Sequence, residues 1–73
     1  MDFFSKFVLS PLRLARLSAG QTQYELARKT EISASRLSLL ERGIEAPAAW
    51  EIEALADALG VPEATLFPSP VLP

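Results

Sequence analysis

Residues Gln23–Glu41, QYELARKTEISASRLSLLE, decide the fold. They read as two short helices joined by a tight turn. Two short helices that cross steeply need a small residue at the crossing, and Ala27 supplies it. The turn needs an apolar plug, and Ile32 supplies that. Leu26 on the first helix and Leu37 and Leu40 on the second give inward apolar positions at helical spacing.

Working outward, Thr22-Gln-Tyr-Glu25 is a capping box that opens the first of the pair. Ser33 caps the second and Gly43 ends it. Upstream, Ser10-Pro11 starts an earlier helix, because Ser caps well and Pro suits the first helical position. Leu12, Ala15, Arg16 and Ala19 form its inner stripe, and Gly20 stops it. Downstream, a helix is predicted from about Ala48 to Leu59, with Ile52, Leu55, Ala56 and Leu59 inward and Gly60 as its cap. A fifth, short helix starts near Pro62 and ends at Leu66-Phe67. No strand signal or repeat is visible. The predicted organisation is an apolar N-terminal segment over 1–10, a helical domain over 11–67 and a Pro-rich tail over 68–73.

Seventy-three residues, 49% of them apolar, suffice for one small domain with a compact core. The chain has no Cys and no His. That excludes disulfides, thiolate or imidazole metal sites and His-based acid/base catalysis. The acids show no paired arrangement, and Ser33, Ser35 and Ser38 lack a base partner. No catalytic residue, cofactor or metal is expected. The N-terminal run MDFFSKFVLSP is too brief and too interrupted for a signal peptide or a membrane span, and the lack of disulfides fits the expectation of a cytoplasmic protein.

The net charge is −2, but it is segregated. Residues 1–42 hold all seven cations against four anions, a net +3. Residues 43–73 hold five anions and no cation, a net −5. An acidic total can thus conceal a basic face.

The series Thr22-Gln23, Leu26-Ala27, Ile32-Ser33, Leu37-Ser38, Glu41-Arg42-Gly43, Pro47 and Leu55-Ala56-x-x-Leu59-Gly60-Val61 resembles the phage-repressor/Cro (Xre-type) helix-turn-helix family. The resemblance runs without gaps from about Leu12 to Phe67. It implies an all-α, compact five-helix, lambda-repressor-like DNA-binding domain. It also implies a recognition helix over about 33–42. By the family's pattern, Gln23 bonds a phosphate and braces that helix. Ser33, Ala34, Ser35, Ser38 and Leu39 meet base edges. Arg42 and the Gly43 backbone touch phosphate again. Arg16 and Glu41 match an internal salt bridge. Arg13, Arg28 and Arg36 are further cations for phosphate, with Arg36 beside the reading face.

Four features depart from the pattern. The reading face is small and apolar, with no Gln, Asn, Arg or Lys among its five residues for a bidentate base contact. The loop after Gly43 is Ile44-Glu45-Ala46, where the family often carries cations. Glu31 stands at a turn position usually held by Gly. Gln21 replaces the usual apolar residue before the cap, which weakens the staple onto Leu26.

The resemblance implies a sequence-specific DNA-binding transcriptional regulator acting on double-stranded DNA as a homodimer. Dimers of this family commonly meet through their C-terminal helices; here Trp50, Leu66, Phe67, Val71 or Leu72 would have to outweigh acidic repulsion. The alternative is a protein-interaction module on the same fold, such as an antitoxin, an anti-repressor or an adaptor. Its docking surface would be the surplus apolar residues Phe3, Phe7, Leu14 and Leu17.

Overall fold

The structure, a computed structural model, describes residues 10–68. Five helices follow one another: α1 Pro11–Ser18, α2 Gln23–Thr30, α3 Ala34–Glu41, α4 Ala49–Leu59 and α5 Glu63–Leu66. There is no strand among the described residues. Phe3, Phe7, Val71 and Leu72, expected at a docking or dimer surface, lie outside the described range.

The helix starts follow from local side-chain chemistry. Ser10 Oγ accepts the Arg13 N–H at 3.1 Å, and Pro11 occupies the first turn. Thr22 Oγ1 accepts the Glu25 N–H at 3.0 Å, while the Glu25 carboxylate takes the Thr22 N–H at 2.8 Å. Ser33 Oγ accepts the Arg36 N–H at 3.0 Å. Each bond satisfies a donor that a helix leaves orphaned at its N-terminus. α4 lacks such an oxygen at Ala48; the Glu51 carboxylate instead reaches back to the Ala48 N–H at 2.8 Å. Gly60 ends α4 in the left-handed conformation.

Leu12, Leu26, Ile32, Leu37, Leu40, Leu55, Ala56 and Leu66 form one core to which all five helices and the α2–α3 turn contribute. Leu12, Leu26, Leu37, Leu55 and Leu66 are essentially inaccessible. Burying a Leu side chain is worth about 1.5–3 kcal/mol, so these five anchor the fold. α2 packs on α3 and α4, and α1 closes the bundle against α3 and α5. Three expectations shift. Ala19 caps α1 and is exposed rather than inward. Ile52 and Leu59 are only half-buried. Leu66 belongs to the core and is unavailable to a dimer partner.

Glu31 ends α2 with φ 63° and ψ 19°, the one non-glycine residue at positive φ among those described. The chain must reverse here to set α3 across α2. The carboxylate has no hydrogen-bond or ion-pair partner among the described residues that would account for a Glu.

Candidate nucleic-acid interface

A buried polar knot fixes α3 relative to α1 and α2. Arg16 and Glu41 are 7% and 6% exposed, so their charges must be matched inside the protein. Arg16 Nε donates to Glu41 Oε2 at 2.6 Å and Nη2 donates to Oε1 at 3.1 Å, a two-pronged pair between α1 and α3. Arg16 Nη1 donates to the Gln21 carbonyl at 2.8 Å. The Glu41 hydrogen bond raises the Arg16 guanidinium further above its ordinary value, against the opposing effect of burial. Gln23 Nε2 adds a third donor to Glu41 Oε1 at 3.1 Å. A carboxylate only accepts, so the Gln23 amide nitrogen must face it. Gln23 is thereby held at the start of α2 with one amide N–H to spare.

Beside Gln23, the Gln23 and Tyr24 backbone N–H groups have no acceptor among the described residues; the capping box takes those of Thr22 and Glu25. Next to this helix start lies the outer face of α3. Gln23, Ala34, Ser35, Ser38, Leu39 and Arg42 border one shallow depression, together with Tyr24. Ser35 and Arg42 are exposed, while Ala34, Ser38 and Leu39 are half-buried. Buried Leu37 and Leu40 hold the opposite face of α3 in the core. The sequence-predicted reading residues are therefore together on an outward face. Ser33 is also exposed, at the α3 cap, but it and Arg28 stand outside this depression.

Two predicted contacts are otherwise engaged. Arg36, expected at a phosphate or a base, is half-buried and bonded to other parts of the protein. Its Nε and Nη2 each donate to Glu51 at 2.9 Å, Nη2 also donates to the Ala46 carbonyl at 3.1 Å, and Nη1 meets Glu45 at 3.4 Å. The physical reason is Glu51: only 4% exposed, it needs a cation, and Arg36 is the one that meets it. This pairing holds Glu51 below the usual carboxylate range, chiefly through the Arg36 hydrogen bond and with help from the Ala48 N–H. Glu45 and Ala46, which by sequence look like lost phosphate anchors, complete this clamp between α3 and α4. The Gly43 backbone is likewise not a free donor, because its N–H donates to the Leu40 carbonyl at 3.2 Å. Gly43 serves the chain reversal, with φ 73°.

The exposed cations Arg13, Arg28, Lys29 and Arg42 have no ion-pair partner among the described residues. Arg42 Nε makes one long bond, 3.3 Å, to the Ser38 carbonyl. Tyr24 is a residue that sequence reasoning missed. It is the second residue of α2, where the pattern asks for nothing in particular, and it is 76% exposed. Its place next to Gln23 is the one signal that could have pointed to it.

A helix-turn-helix domain model matches residues 11–66, the entire five-helix array. The chain belongs to the helix-turn-helix domain family. This agrees with its likeness to the phage-repressor/Cro type, and it points to DNA binding. No curated protein and no solved structure matches the chain. Among the described residues of this helix-turn-helix domain, no group of His, Cys, Asp or Glu side chains is arranged to hold a metal ion. No described helix is long and apolar enough to cross a membrane.

Proposed function

We propose that this helix-turn-helix protein is a sequence-specific DNA-binding transcriptional regulator. It lays α3 in the major groove and acts as a dimer on paired half-sites about 34 Å apart. The observation that carries this reading is the shared depression where the α3 outer face meets Gln23 and Arg42. Ser35 and Ser38 bond base edges of either type, and Ala34 and Leu39 contact a thymine methyl. Gln23, Arg42, Arg28, Arg13 and the open N–H groups of α2 take phosphates. Since the reading face offers no bidentate side chain, discrimination per base pair is modest and phosphate contacts supply most of the affinity.

A second reading draws on Leu14 and Leu17, exposed at 52% and 46% on α1. In it, the fold is a protein-interaction module, and Arg36, lost to an internal clamp, is one phosphate contact fewer. A mobility-shift titration with bulk genomic DNA at low salt separates the two. Binding at or below micromolar protein supports the regulator. Absence of any shift there favours the interaction module.

A further inference from the structure

We propose that Tyr24 is a sequence-independent anchor for the DNA backbone, its phenol hydroxyl donating to a phosphate oxygen at the edge of the groove that α3 enters. The inference deepens the DNA-binding reading and rests on it.

Tyr24 is the most exposed of the large apolar side chains described, at 76%, and its hydroxyl has no partner among the described residues. The core is complete without it. Tyrosine combines an apolar ring with a polar tip and ordinarily covers one while wetting the other; here both are open to solvent. Its place is not arbitrary. Tyr24 and Gln23 border the depression over the α3 face, and both also border the adjoining one beside Arg13 and Arg16. Tyr24 therefore stands on the ridge between the reading face and the α1–α2 turn, next to the unpartnered N–H groups of α2.

On the α3–α4 side the surface is short of anchors, which gives a contact from the α2 side more weight. The Ile44-Glu45-Ala46 loop offers no cation, Arg36 is held by Glu51, and the Gly43 N–H is used within the turn. The Glu25 and Glu41 carboxylates do not claim the phenol donor, being already bonded to the Thr22 N–H and to Arg16. A hydroxyl also differs from a cation in one measurable way. It bonds a phosphate without displacing a counterion, so it adds affinity and leaves the salt dependence alone.

The test compares wild type, Tyr24→Phe and Tyr24→Ala by fluorescence anisotropy. The probes are labelled duplexes of several unrelated sequences, each titrated separately at several salt concentrations. Melting temperatures should agree among wild type and Tyr24→Phe, because the hydroxyl is wet in the free protein. Tyr24→Phe should bind about tenfold more weakly, the size typical of a hydrogen bond to a charged group. The loss should be uniform across sequences, and the slope of log affinity against log salt should not change. Tyr24→Ala should be at least as weak. If wild type binds and Tyr24→Phe binds equally well, the anchor is refuted and the DNA-binding reading stands. A loss confined to Tyr24→Ala refutes the hydroxyl contact. A Tyr24→Phe change in which sequences are preferred refutes sequence independence. No binding by wild type overturns the parent reading, and the anchor with it.

Discussion

Replacing Glu31 by Gly should make the protein more stable. Glu31 holds φ 63° and ψ 19°, where a Cβ crowds the following carbonyl. That crowding costs about 1–2 kcal/mol per L-residue. Glycine removes it but loses more backbone freedom on folding, which returns about 0.5–1 kcal/mol of the gain. The Glu31 carboxylate has no bonded partner among the described residues, and it lies at the C-terminal, negative end of α2, which disfavours an anion. The net gain should be about 0.5–1 kcal/mol. At roughly 4–8 °C per kcal/mol for a domain this size, the melting temperature should rise by about 2–8 °C. Thermal circular dichroism of wild type, Glu31→Gly and Glu31→Ala at neutral pH measures it. Glu31→Ala removes the carboxylate yet keeps the Cβ, so most of the rise should be absent there. An unchanged or lower melting temperature for Glu31→Gly would show that the turn is not strained as argued. An equal rise for Glu31→Ala would assign the effect to charge rather than backbone.

Glu41→Gln leaves the Arg16 guanidinium buried beside a neutral amide and should cost about 3–5 kcal/mol, a large share of a domain's usual margin; a urea midpoint close to that of wild type would contradict the knot's role. Glu51 has a depressed folded-state pKa, so its contribution is present at neutral pH and fades as pH falls through the ordinary carboxylate range toward that lower value. The stability gap between wild type and Glu51→Gln should therefore be largest near pH 7 and shrink in acid, and a gap that widens on acidification would reverse the assignment. Arg42→Ala should weaken DNA binding on all sequences and lower the salt slope by roughly 1, whereas Arg36→Ala should lower the melting temperature and leave the slope unchanged. Equal slope changes for both would mean that Arg36 leaves its clamp to meet phosphate.

What the sequence reveals is chiefly what is local. The caps at Ser10, Thr22 and Ser33 bond an N–H three residues on, and a spacing of three can be read from the chain alone. The core follows from helical periodicity, so Leu26, Leu37, Leu40 and Leu55 lie where the pattern puts them. Arg36 escapes such reasoning because its partners Glu45, Ala46 and Glu51 sit 9, 10 and 15 residues away, across the turn into α4. No helical spacing rule connects residues so far apart. Glu51 looks by sequence like a solvated acid at the start of a helix, and only packing shows that it is buried and needs a cation. The Gly43 N–H finds its acceptor through the turn geometry, which residue types alone do not specify. The Arg16–Glu41 pair, 25 residues apart, follows from family likeness and not from any spacing.

The central claim is that the outer face of α3 reads DNA sequence, and selection of bound duplexes from a random pool tests it most directly. Wild-type protein should enrich a two-fold symmetric motif whose half-sites repeat about one helical turn apart, with base preference that is modest at each position. The same selection with Ser35→Ala and Leu39→Ala should change the enriched half-site while the phosphate contacts persist. An unenriched pool, or a motif that neither substitution alters, would contradict the claim that α3 is the reading element.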